Sequence, residues 1–188
     1  DRLEVMSPQG TFTSRREDLA GAHLAGFAAG SGITPLMALA STVLARSETS
    51  RFTLVYTNRS TLDVMFLEDL ADLKDRYPTR LALHHVLSRE QRSSPLLSGR
   101  IDAEKLGRIL RDLVLPDTID EWFLCGPPEL VQLCRDALTD VGVSRDHVRY
   151  ELFTTGDEDR GPRRPIDIRQ DDPVYTIDFT LDGQSSSV

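Results

Sequence analysis

Cysteine is scarce in this sequence. Cys125 and Cys134 are its only thiols in 188 residues, nine positions apart, with no Cys-x-x-Cys pair and no adjoining set of histidines. A structural zinc site takes four Cys or His ligands at short spacing, so this pattern excludes one. An iron–sulfur cluster also needs four ligands, and this chain cannot hold one alone. So few thiols predict a reducing, cytoplasmic setting rather than a disulfide scaffold. No apolar run approaches the roughly 18 residues of a membrane span, and no signal-peptide pattern opens the chain. Positive charge is in deficit: 22 Lys and Arg stand against 30 Asp and Glu, a net charge of -8. An acidic surface opposes nucleic acid, whose phosphate backbone needs a basic face. A few local arginines could still hold a small phosphorylated ligand.

What remains is an ordinary globular composition, 39% hydrophobic and 28% charged, long enough for one well-packed domain. Its centre reads as strand-then-helix units. His23 to Ala29 is a short run of small and apolar residues, as in a strand buried on both faces. After Gly30-Ser31-Gly32, Thr34 suits an N-cap and Pro35 a first helical position, with Leu36 to Arg46 behind them. Arg51 to Thr57 is a second strand, and Ser60-Thr61-Leu62-Asp63 is a capping-box-like start. Phe66, Leu70, Leu73 and Tyr77 then share one helical face, ended by Pro78. Arg80 to Leu87, Trp122 to Cys125 and His147 to Phe153 read as further strands. Asp102 to Leu115, with Leu106, Ile109, Leu110 and Leu113 at core spacing, and Glu129 to Thr139 read as helices. Such alternation predicts an α/β fold with a parallel, doubly wound sheet covered on both sides. A five-stranded order 3-2-1-4-5 would place the turns after strands one and four side by side. Thr155 to Asp172 is rich in Gly, Pro, Asp and Arg, and reads as a linker. Val174 to Leu181 alternates like a strand and leads into Asp182-Gly183, one arm of a hairpin without its second. With no opening methionine, the chain is expected to be part of a longer protein.

Three places could carry chemistry. The Gly30-Ser31-Gly32-Ile33-Thr34-Pro35 turn joins a strand to a helix, where glycines admit a pyrophosphate and the helix N-terminus offers free N–H groups. It lacks the third glycine of the Rossmann fingerprint, and a tight turn without a ligand would look the same. Cys125-Gly126-Pro127-Pro128 holds the equivalent position after strand four. Ligands bind beyond the carboxyl ends of strands where strand order reverses, although an isolated cysteine is more often buried for packing. Asn58-Arg59-Ser60 follows strand two and Ser88-Arg89 follows strand three. An arginine there suits a ribose 2′-phosphate, where an NAD-binding fold usually carries Asp or Glu. His84 and His85 fall inside an apolar strand, one expected to face in and one out, without a nucleophile beside them. No Gly-x-Ser-x-Gly elbow supports a hydrolase. A non-catalytic dinucleotide-binding or partner-docking module is the alternative to an oxidoreductase.

At these motifs the sequence resembles the ferredoxin–NADP reductase superfamily. The resemblance is carried by Ala28 to Pro35, Tyr56-Thr57-Asn58-Arg59-Ser60, Ser88-Arg89-Glu90-Gln91, Cys125 to Pro128 and Tyr150-Glu151-Leu152-Phe153. Leu70 to Pro78 and Gly99 to Leu106 add a likeness to the oxygenase reductases of phenylacetate degradation. Thr57 departs from the glycine that relatives often carry. The resemblance implies an NAD(P)-binding domain over 19–155. It also implies the end of an FAD-binding barrel over 1–18, a linker over 156–172, and the first strand of a [2Fe–2S] ferredoxin domain over 173–188. Gly30 to Thr34 would hold the pyrophosphate and nicotinamide side. Arg59, Ser60, Ser88 and Arg89 would hold the 2′-phosphate of NADP. Cys125 would sit near nicotinamide C4, with Thr34 as the second candidate at the reacting centre, and Phe153 would sit near the flavin. The flavin-anchoring Arg-x-Tyr-Ser motif and the cluster cysteines are not in this sequence, so FAD and the cluster are expected in the parent protein, with an oxygenase component as electron acceptor.

Overall fold

The run His23–Ala29 is the central strand, β1, of a parallel five-stranded sheet. A computed structural model describes residues 10–152, together with the backbone of residues 178–181 and 184–187. The chain divides into two units, Asp1–Thr155 and Gly156–Val188. In the first, β1 is followed by α1 (Ile33–Arg46), β2 (Arg51–Asn58), α2 (Leu67–Arg76), β3 (Leu81–Leu87), α3 (Ala103–Ile109), β4 (Glu121–Gly126), α4 (Pro128–Asp140) and β5 (Val148–Leu152). The order is β3-β2-β1-β4-β5, as the sequence predicts. Phe27 lies between Val55 and Leu124 in register. Helices α1 and α2 bury Leu36, Val43, Leu44, Leu70 and Leu73 on one face of the sheet. On the other face α3 and α4 bury Leu106, Ile109, Val131 and Leu138. Small residues in β1 let α1 approach closely: a β-carbon on Gly26 would come within 2.5 Å of Leu36 Cδ2.

Several local expectations are corrected. Helix α1 begins at Ile33, because Gly30–Gly32 form a 3-10 turn that winds straight into it. Thr34 is therefore inside the first turn and does not cap. Its hydroxyl donates to Ser31 O at 2.9 Å. The Ser60–Asp63 capping box exists, but it closes a separate 3-10 turn, Thr61–Asp63, ahead of α2. Phe66 is no helical residue; it adopts a left-handed φ of 57° just before α2. The third helix stops at Ile109 and continues as a π turn, Leu110–Val114. The wider turn rotates the face by one residue, so Val114 is buried and Leu113 only partly so. His84 and His85 are both half-buried, because β3 is an edge strand.

At the amino ends of the strands a buried ion pair ties the sheet to the segment before it. Arg149 Nη2 lies 3.0 Å from Glu121 Oε1, the side chains 8% and 7% exposed. The Arg15 amide donates to Oε1 at 3.2 Å and the Ser14 hydroxyl donates to Oε2. Phe12 meets Phe123 edge-on, with ring centroids 5.3 Å apart. Arg80 reaches from the start of β3 to cap the end of α1, donating to Leu44 O at 3.0 Å and Ser47 O at 2.6 Å.

In the second unit Asp178–Leu181 (β6) pairs antiparallel with Gln184–Ser187 (β7). The hairpin thus has both arms, and the expectation of a single arm is corrected. Its second arm is polar and carries no alternation to betray it. Of the segments compared with the barrel and the linker, 1–9 and 156–172 lie outside the described residues.

Candidate functional site

Two turns meet at the carboxyl ends of the central strands. Ala28 and Cys125 are in register at the top of β1 and β4. Beyond them the Gly30–Gly32 turn rests directly on the Cys125–Gly126 peptide. A β-carbon on Gly32 would overlap the Cys125 carbonyl group and come within 2.9 Å of Gly126 N. Only glycine permits this contact, because the obstacle is backbone that cannot swing aside. Gly32 and Ile33 are buried, while Ser31 and Thr34 are exposed and Pro35 is half-buried. Gly126 is buried and Pro127 exposed. Beneath the turn, the buried Tyr56 phenol donates to Gly30 O at 3.0 Å and accepts from Met65 N at 3.3 Å.

The pKa of the Cys125 thiol is pushed up to about 11, first by burial and then by the Glu151 carboxylate. It is therefore a neutral thiol at pH 7, neither a thiolate nucleophile nor a base. Glu151 stands opposite Cys125 in the β4–β5 register. Cys134 lies in the core on the other face, its pKa pushed to about 12 by burial, and has no part in this crevice.

The second half of the site is built by β2 and β3. Their pairing continues past the strands: Ser88 N donates to Asn58 O at 2.9 Å, and Arg89 N to Arg59 O at 2.7 Å. Arg59 and Arg89 are thereby held side by side, both exposed. Two carboxylates accompany them. Glu90 accepts from Thr61 N at 2.6 Å and from the Thr61 hydroxyl at 2.8 Å, which straps the loop after β3 to the loop after β2. Those two bonds, the amide first, hold its carboxyl below the usual range. Asp63 Oδ2 accepts from Ser60 N at 3.0 Å and from Ser60 Oγ at 2.6 Å. Ser88, Arg89, Arg92, Ser93 and Ser98 line an open groove of about 570 Å³. Asn58 is buried, and its Nδ2 has no hydrogen-bond partner among the described residues.

The candidate residues thus fall into two groups. Gly30 to Pro35 gather with Cys125, Gly126 and Pro127 at the crevice, and Asn58, Arg59, Ser60, Ser88 and Arg89 gather at the carboxyl ends of β2 and β3. Phe153 lies outside the described residues. Neither Tyr56 nor Glu151 is singled out as a site residue by the sequence, although both stand inside its motifs. Burial of a tyrosine at a strand end, and the register opposite Cys125, are the signals that find them. Asp63 and Glu90 likewise have no place among the site residues expected from the sequence.

Residues 27–136 match the oxidoreductase NAD-binding domain family. The chain belongs to that family. Its sheet order and motifs are of the ferredoxin–NADP reductase type. It is 40% identical over 176 residues to a component of the 1,2-phenylacetyl-CoA epoxidase of Escherichia coli, covering 93% of this chain and 49% of that protein. It is 34% identical over 187 residues to the ferredoxin reductase component of 3-ketosteroid-9-alpha-monooxygenase from Mycobacterium tuberculosis, covering 100% of this chain and 48% of that one. The chain therefore spans about half the length of these relatives. Among solved structures it is similar to the cytochrome P450 reductase of Amycolatopsis, with 26% identity and a TM-score of 0.65, over 79% of this chain and 43% of that one. Among the described residues no helix is long and apolar enough to cross a membrane.

Proposed function

We propose that this chain binds the nicotinamide dinucleotide of a cytoplasmic flavin-dependent reductase, that NADPH is preferred over NADH, and that electrons leave through FAD and a [2Fe–2S] centre for an oxygenase component. The observation that carries the reading is the pair of arginines that the extended β2–β3 ladder fixes at the carboxyl ends of these strands, β2 lying next to β1 and its glycine turn. The residues fit such a ligand. Gly30, at a φ of 50° with nothing within 4 Å of where a β-carbon would stand, leaves the turn open to a ligand, and Asn58 Nδ2 is a buried donor still without a partner among the described residues. The names of the two curated relatives, both components of oxygenase systems, support the acceptor, and the epoxidase likeness supports a role in aromatic degradation.

The nicotinamide, when bound, supplies the hydride. The protein's part is placement. Gly30 to Thr34 present α1's N-terminal amides and its positive end to the pyrophosphate. Arg59, Ser60, Ser88 and Arg89 take the 2′-phosphate through charge-assisted bonds. Cys125 would face the nicotinamide as a neutral thiol, with Glu151 opposite it in register as an acceptor, Gly126 and Pro127 would shape the wall, and Phe153 would take the flavin side.

The coenzyme assignment is tested on Arg59→Glu. Charge-assisted hydrogen bonds contribute about 1.5–3 kcal/mol, so NADP⁺ affinity in titration calorimetry falls roughly tenfold to a hundredfold. NAD⁺ affinity holds or improves, because a carboxylate can accept from the ribose hydroxyl. Equal losses for both coenzymes refute the 2′-phosphate assignment.

A further inference from the structure

The carboxylates around the paired arginines are not equivalent. Glu90 is committed to Thr61, an amide and a hydroxyl that no ligand phosphate is asked to share. Asp63 instead occupies Ser60 itself. Both Ser60 donors, N–H and Oγ–H, fall on Asp63 Oδ2. A phosphate that takes the Ser60 hydroxyl must displace or share with that oxygen. We propose that Asp63 sets the coenzyme preference of this site, its carboxylate standing in for a 2′-phosphate on Ser60 and competing with it. The inference rests on the reading of Arg59, Ser60 and Arg89 as the 2′-phosphate clamp.

Charge agrees with geometry. The Ser60 hydroxyl, aided by the Ser60 amide and the Arg59 and Arg89 charges, holds the Asp63 carboxyl below the usual range. Asp63 is thus an anion throughout the neutral region and already supplies a counter-charge to both guanidinium groups. An incoming dianion meets a clamp whose charge is partly met and feels repulsion from a carboxylate that shares its donors. A ribose bearing a free 2′-hydroxyl meets the reverse, since a carboxylate is the usual acceptor for that group. Asp63 therefore narrows the gap between the two coenzymes. The turn does not need the charge: a neutral amide also serves at the third position of a capping box, and the Asp63 amide donates to Ser60 O at 3.1 Å whatever the side chain.

The test titrates the 188-residue chain with adenosine 2′,5′-bisphosphate and with AMP, which differ only in the 2′-phosphate. The variants are Asp63→Asn, Asp63→Ser and Arg59→Ala, each checked by a thermal melt. Asp63→Asn and Asp63→Ser tighten the bisphosphate about three- to tenfold at low ionic strength and leave AMP unchanged or weaker. The gain shrinks as salt screens the exposed charges. An unchanged or weakened bisphosphate affinity, or an equal gain for AMP, overturns the proposal. Arg59→Ala separates the two layers of the reading. If it weakens the bisphosphate selectively while the Asp63 variants do nothing, only the role of Asp63 falls. If it costs both ligands alike, the phosphate clamp is wrong and the role of Asp63 falls with it.

Discussion

The two ends of the sheet carry the same chemical groups put to opposite uses. At the amino ends, Glu121 and Arg149 are paired at 3.0 Å with under a tenth of either side chain exposed. At the carboxyl ends, Arg59 and Arg89 stand exposed beside Asp63 and Glu90. A buried pair has lost its water and depends wholly on its partners, so it fastens the N-terminal segment to β4 and β5 and cannot exchange. An exposed cluster keeps its solvent, contributes little to stability, and can trade a carboxylate for a phosphate. Burial, more than residue type, separates the structural clasp from the proposed binding site.

The largest effect should come from the buried end. Arg149→Met leaves Glu121 buried without its counter-charge, held only by the Ser14 hydroxyl and the Arg15 amide, which costs about 3–5 kcal/mol in urea unfolding. The double variant Glu121→Met with Arg149→Met recovers most of that loss, because the isolated charge is gone. The bisphosphate affinity of the folded fraction stays the same in both. A coenzyme defect in the folded double variant would break the division between the two ends.

Gly32→Ala tests the carboxyl end. Its new methyl group would meet the Cys125 carbonyl, a backbone atom, and overpacking of this kind costs about 1–3 kcal/mol. Unlike the change at Arg149, it should also lower NADP⁺ affinity, since the turns are forced apart. A full loss of stability with unchanged affinity would mean that the crevice is a packing contact alone.

The smallest effect concerns the thiol in α4. Cys134 ionises near 9.0 when unfolded and at about 12 when folded. Its contribution is fully present below pH 9 and is lost as pH rises toward 12, because the unfolded chain releases the proton first. Thermal melts of the protein and of Cys134→Val should diverge across that window, with the variant less sensitive to alkali. Parallel curves would show that the side chain is hydrated.

The fold was legible because β1, β2 and β4 are short apolar runs punctuated by glycine and proline, and because their alternation with helices leaves few topologies. Sheet order and strand boundaries followed to within a residue or two, whereas α2 begins at Leu67 and not behind the Ser60 capping box, and α3 ends at Ile109 and not at Leu115. The features that escaped were those with no periodic signal. Glu121 and Arg149 look like ordinary surface charges until the fold brings them together. The π turn at Leu110–Val114 follows no change in residue pattern, and the second hairpin arm, Gln184–Ser187, is too polar to read as a strand. At the site, glycine and arginine positions could be named from their motifs. Asp63 was visible as a capping residue, but that its oxygen holds both Ser60 donors is a fact of distance alone.

The crevice also bears on how the chain holds itself closed. Next to β1, β2 is joined through a local connection, as in the Gly21–Thr49 bond across 28 residues, whereas His23 and Asp120 beside β4 are 97 residues apart. Closing that longer loop costs more conformational entropy, and the Gly32–Cys125 contact exists only after it has closed. A dinucleotide lying across both turns, as proposed, would recognise the closed state alone. Free coenzyme at concentration [L] would then add RT ln(1 + [L]/Kd) in total to the stability of the sheet, which would make the ligand a latch on the junction between β1 and β4.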